Sequence, residues 1–173
     1  EWGSENFRSF PWRETEDPYR LLVAEMMLIR TRADQVEPVY REFLDAYSTL
    51  EEATQATRDD VHHYLDVLGL TWRADRVHEA LMKIERDFHG SVPHSKDDLQ
   101  SLPGVSQYVA SAVRCFAWGI PEPLIDANTV RISGRLFGLE VDSHSRETRQ
   151  FRQLIEELLD KSEPKTYNYA LLD

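Results

Sequence analysis

Apolar residues recur along this chain at intervals of three and four, and nowhere alternate over the length of a strand, so the pattern predicts helices throughout. "DPYRLLVAEMMLIR" opens with Asp17 as N-cap and Pro18 at the first helical position. "ADQVEPVYREFLDAY" and the short "TLEEATQA" follow; Thr57 then caps "TRDDVHHYLDVLG", which Gly69 ends. The long amphipathic run "TWRADRVHEALMKIERDFHG" is closed by Gly90. "SKDDLQSL" and "SQYVASAVRCFAW" flank a tight turn at Pro103-Gly104, and the second of them stops at Gly119. A loop bearing Pro121 and Pro123 leads into a helix that starts at Asp126, and "SRETRQFRQLIEELLDK" and "KTYNYALLD" complete the chain. The expected fold class is all-α, with about nine or ten helices and no repeat, low-complexity segment or linker.

Length and composition narrow the setting. With 173 residues, 41% of them hydrophobic, the chain suits one domain with a real core. No apolar run approaches the ~20 residues of a membrane span. One cysteine, Cys115, excludes an internal disulfide and fits a reducing compartment. Because residue 1 is Glu and "YNYALLD" reads as an unfinished helix, a fragment is expected. The net charge of −11 argues against nucleic acid at first sight. Yet 16 of the 20 basic residues are arginine, and from Asp97 through Asp160 there is no lysine. An acid-rich, lysine-poor surface suits concentrated salt, where repulsion is screened, and predicts stability that rises with molar salt. Between Ser101 and Arg135 three arginines face only Glu122 and Asp126, so one face can be neutral to basic on an acidic body.

Three features invite chemistry, each with a plainer reading beside it. Asp126, in "PLIDANTVRI", is either a helix cap or an anion held at the mouth of a cleft. In "DLQSL-PGVS-QYVASAVRCFAW", Pro103 fixes one turn dihedral and Gly104 permits a positive φ. That corner aims backbone N–H groups and a helix N-terminus outward as donors for phosphate, unless it is a plain helical hairpin. Glu25 stands alone in "LLVAEMMLI", where a buried charge needs either a task or an arginine partner. His62 and His63 have no Cys or His at ligand spacing, so they read as ordinary helix residues and no metal site is expected.

The segments "FPWRETEDPYRLLVAEMMLIRT", "LGLTWRADRVHEA", "HGSVPHSKDDLQSLPGVSQYVASAVRCFAWG", "LIDANTVRISGRLFGL" and "YNYALLD", in this order, resemble the helix-hairpin-helix/Gly-Pro-Asp superfamily of base-excision DNA glycosylases, the endonuclease III fold. The resemblance covers nearly the whole chain. It implies a single domain, 1–173, in two helical lobes: one from about 21 to 135 carrying the hairpin 97–118, the other formed by 1–20 plus 136–173 and truncated. A DNA cleft would lie between them. Asp126 falls on the family's catalytic aspartate, so cap and catalyst need not be alternatives. Glu25 matches the glutamate that protonates the leaving base in the adenine branch or contacts the flipped base in the thymine branch. Tyr108 borders the base pocket. Pro103, Gly104, Val105, Ser106 and Gln107 would hold the DNA backbone. Arg30, Thr31 and Arg32 would sit where a wedge enters the vacated gap, and Asn128 would brace the helix start or bind the backbone. Trp72 and Arg73 lie where relatives touch the strand.

Tyr108 also takes the place of the lysine with which other relatives nick the backbone, so base removal without lyase chemistry is expected. Serine at 106 replaces a glycine beside carbonyls that commonly hold a monovalent cation in the family. A four-cysteine iron–sulfur loop would arise only if the protein continued past Asp173; no cofactor is expected in this chain. "MLIRT", "GLTWRA", "KDDLQSLPGVSQY" and "DANTVRI" look closer to the mismatch thymine branch than to the adenine branch. The expected partner is double-stranded DNA with a mismatched or damaged base, bound by a monomer in a prokaryotic cytoplasm, at the nucleoid, with no membrane role. The substrate would be thymine or uracil opposite guanine. Rival readings are adenine opposite 8-oxoguanine, a non-catalytic helix-hairpin-helix module, and a helical scaffold with no nucleic acid.

Overall fold

The structure is a computed structural model and describes residues 6–173. The described residues form ten α-helices and no strand: α1 Pro18–Leu28, α2 Ala33–Ala46, α3 Leu50–Thr54, α4 Arg58–Leu65, α5 Trp72–Phe88, α6 Lys96–Ser101, α7 Gln107–Trp118, α8 Ala127–Phe137, α9 Arg149–Leu158 and α10 Pro164–Leu172. Single 3₁₀ turns lie at Pro11–Arg13, Asp66–Leu68 and Ser145–Glu147. None of these helices is long and apolar enough to cross a membrane.

Local chemistry sets most boundaries. The Asp17 carboxylate accepts the Tyr19 N–H at 2.8 Å, and Pro18 follows at the first helical position. Thr49 and Thr57 open α3 and α4 with reciprocal capping boxes. Two details differ from the pattern. The left-handed residue that ends α5 is His89, at φ 53°, with Gly90 one step later donating to Ile84 O at 3.2 Å. The run beginning at Ser145 is not one helix, because Thr148 turns extended and its hydroxyl caps α9 by accepting the Phe151 N–H.

α1 explains the odd run "LLVAEMMLI". Residues 21–27 are all buried, since α2, α5 and α7 enclose this helix; a helix apolar on every side belongs in the centre. The main core gathers around it from α2, α4, α5 and α7 and includes Phe10 and Trp12. Trp12 sits edge-on to Tyr40, with ring centroids 5.4 Å apart. A second cluster joins Leu21, Phe116 and Leu124 to Tyr169 of α10, and a third joins Val130 of α8 to Phe151 and Ile155 of α9. Residues 10–12 pack into the large bundle, and α8 finds its helical partners in α9 and α10.

His62 does more than fill a helix face. Its ring nitrogens reach Asp66 at 3.0 Å and Asp75 at 2.9 Å, and those hydrogen bonds raise its pKa. A raised histidine stabilises the fold below its unfolded value and loses that contribution as pH rises through the folded one. A His62→Gln variant should therefore melt below the parent at pH 5. The gap should close as the pH is raised past neutrality; a gap that widens with pH would contradict the ion pairs.

Candidate active site

Four stretches distant in sequence converge on one cleft of about 580 Å³: the 3₁₀ turn at Pro11–Arg13, the end of α1 with the loop behind it, the start of α7, and the start of α8. Glu25, Tyr108, Asp126, Arg30, Thr31, Asn128 and Ser106 all line it. Of the other residues that the resemblance placed at the DNA, Arg32, Trp72, Arg73, Pro103, Gly104, Val105 and Gln107 do not.

Asp126 is half-buried at the N-cap of α8. Its Oδ1 accepts the Thr129 N–H at 2.7 Å, and the Thr129 hydroxyl accepts the Asp126 N–H at 3.0 Å. Oδ2 has no hydrogen bond among the described residues, so one carboxylate oxygen holds the helix start and the other stays free for the cleft. The positive end of the helix dipole stabilises an anion here. The brace expected from Asn128 is supplied by Thr129; Asn128 Oδ1 instead accepts from Arg131 at 2.7 Å.

Glu25 is buried and makes no hydrogen bond or ion pair among the described residues. Burial pushes its carboxyl up to about 7, the charge of Arg13 opposes that rise, and Asp126 adds to it. The arginine partner of the plainer reading is thus a cleft neighbour rather than a contact. Tyr108 lines the same cleft, and burial first, then the charges of Glu25 and Asp126, hold its phenol protonated.

Arg13 escaped sequence reasoning. Its guanidinium grips Asp173 at 2.6 and 2.9 Å and lies 4.6 Å from the centre of the Tyr169 ring, itself stacked on Phe116. Arg8 reaches the same carboxylate at 2.9 Å. The signal was present in "FPWR", but nothing in the pattern tied position 13 to α10. Arg8, Arg13, Arg30 and Arg146 line the cleft against Glu25 and Asp126, and Asp173 pairs with the first two, which leaves a small positive balance on a chain of net charge −11.

The hairpin corner lies beside the cleft. Gly104 takes φ 81°, and a Cβ there would meet the Arg76 Cβ at 2.7 Å, so both backbone and space demand glycine. Ser106 needs no such freedom: at φ −78° it caps α7, its hydroxyl accepting the Val109 N–H at 3.2 Å. Serine therefore leaves the turn geometry intact. The Val105 side chain is buried, so only its backbone can serve a ligand, while Gln107 faces a neighbouring cavity and accepts from Arg152 at 3.2 Å. A monovalent cation at the turn would draw on its carbonyls, of which that of Leu102 already accepts the Val105 N–H. Cys115, the one cysteine among these 173 residues, is buried. Among the described residues no group of three or more His, Cys, Asp or Glu is placed to hold a metal. Arg73, expected near the strand, is buried under the loop at 29–31; Trp72 is exposed.

An all-helical fold with a helix-hairpin-helix corner beside an acid-bearing cleft defines a class of DNA repair protein. The family model for the HhH-GPD superfamily of base excision DNA repair proteins matches residues 23–157, and the chain belongs to that superfamily. It is 37% identical to the thymine-DNA glycosylase of Aeropyrum pernix over 96% of this chain and 76% of that protein. It is 31% identical to the thymine/uracil-DNA glycosylase of Methanothermobacter thermautotrophicus over 99% of this chain and 78% of that one. The solved structure of a thermostable thymine-DNA glycosylase superposes with a TM-score of 0.92 at 31% identity, covering 99% of this chain and 80% of the other.

Proposed function

We propose that this chain is a monofunctional DNA glycosylase that hydrolyses the N-glycosidic bond of one mismatched base, thymine or uracil opposite guanine, in double-stranded DNA. The observation that carries this reading is the meeting of Asp126 and Glu25 in one cleft beside the hairpin corner. The cleft volume of about 580 Å³ has room for one extruded nucleotide. Its arginines favour the phosphates around that nucleotide.

The chemistry follows from where charge develops. As the glycosidic bond breaks, its electron pair leaves with the base and positive charge builds on the sugar. The free oxygen of Asp126 stabilises that charge and orients a water, which adds to the sugar carbon and loses a proton. Glu25, with a carboxyl near 7, can carry a proton toward the departing base. Tyr108 stands where a lysine would be needed for a Schiff base, and its protonated phenol offers a hydrogen bond but no amine. Similarity to the thymine-removing proteins supports the choice of base.

Duplexes carrying G·T, G·U and adenine opposite 8-oxoguanine, treated with the protein and then alkali, test the proposal. Strand breaks at thymine and uracil are expected, with no adduct trapped by borohydride. Breaks only at adenine would move the protein to that substrate. No breaks with retained binding would leave a DNA-binding module, and efficient trapping would overturn the hydrolytic route.

A further inference from the structure

A buried arginine without an acid is costly, and this fold contains one. Arg73, on the first turn of α5, is 1% exposed. Burial lowers its pKa, and no carboxylate among the described residues pairs with it. One guanidinium nitrogen, Nη2, donates to Ile29 O at 2.6 Å and to the Thr31 hydroxyl at 2.7 Å. Nε and Nη1 are buried without a partner. Both acceptors belong to the short loop between α1 and α2, and between them sits Arg30 at φ 54°, a left-handed backbone that strains a residue with a Cβ. Ile29, Arg30 and Thr31 line the cleft, and Arg30 is exposed, with no ion pair among the described residues. A neutral side chain would pack this interior at lower cost if support were the whole task.

We infer that Arg73 is a positioning residue: by clamping the carbonyl of 29 and the hydroxyl of 31, it holds Arg30 in its strained conformation at the rim of the cleft. The loop thereby acts on capture of a nucleotide from a paired duplex, not on bond cleavage. Arg73 reaches the cleft only through Ile29 and Thr31 and bonds neither Asp126 nor Glu25, so its effect must pass through the loop. The inference rests on the glycosylase reading, and it predicts a selective defect.

Single-turnover rates should be compared for uracil opposite guanine and uracil opposite a tetrahydrofuran abasic analogue, where no pairing opposes extrusion. Arg73→Met should lose about tenfold or more on the first and no more than about twofold on the second, and Arg73→Lys should recover part of the loss. Equal losses on both substrates, or none on either, would overturn the inference. Should Arg73→Met fail to fold, Arg73→Lys, which keeps a donor for the loop but not the fork, should show the same selectivity at smaller size, and its absence would overturn the inference. If the parent protein releases no base from either substrate, the glycosylase reading falls. The inference is then decided by affinity for an abasic duplex, which Arg73→Met must weaken relative to single-stranded DNA.

Discussion

Asp126→Asn should lower the single-turnover rate of base release by about a thousandfold, roughly 4 kcal/mol of barrier, while leaving the melting temperature and abasic-duplex binding nearly unchanged. The separation is available because Asp126 divides its oxygens between two tasks. One takes the Thr129 N–H, which an asparagine oxygen can also do, and Asn is as good an N-cap as Asp. The other carries the negative charge toward the cleft, which Asn lacks. Asp126→Ala removes both functions and should add about 1 kcal/mol of destabilisation to the catalytic loss. Calorimetry on both variants beside the rate assay decides the matter. An Asn variant within tenfold of the parent rate would remove the aspartate from the chemistry.

Glu25→Gln should stabilise the protein at pH 8 and barely change it at pH 4.5. A carboxyl raised from 4.5 to about 7 ionises less readily when folded than when unfolded. Its contribution is intact below the unfolded value and is lost as pH climbs through the folded one. At about 1.4 kcal/mol per pH unit, the ionised, buried group costs the parent roughly 3 kcal/mol above neutrality, or several degrees in melting temperature. Glutamine fills the same space without that cost. The rate should show the complement: the parent loses activity as pH rises past about 7, and the variant is slower but lacks this step. Melting curves whose difference stays constant between pH 5 and pH 8 would mean that the carboxyl is not desolvated.

Much of this arrangement is written locally. Caps at Asp17, Thr57 and Asp126 and the stop at Gly119 depend on residues within one turn, so their helices could be placed from pattern alone. The uninterrupted apolar run around Glu25 marked a central helix with one misplaced charge, and that charge proved to be in the cleft. What could not be read were meetings between distant segments. Arg13 belongs to the site only because α10 brings Asp173 and Tyr169 beside it. Arg73 looks like a surface cation until α5 is docked under the loop at 29–31. The packing of α8 is of the same kind: its partners are the faces of α9 and α10, which lie later in the chain.

The Arg8–Asp173 contact spans 165 positions, and the Arg13–Asp173 pair spans 160. During synthesis, helices α1 to α7 can collapse on themselves while this side of the cleft still lacks its latch. A nascent polypeptide halted between α8 and α10 would display Asp126 on an open surface without Tyr169 or the clasped arginines around it. Maturation of the cleft is thus a late, long-range event, and a ribosome-stalled intermediate should be folded in its bundle yet unable to enclose a nucleotide.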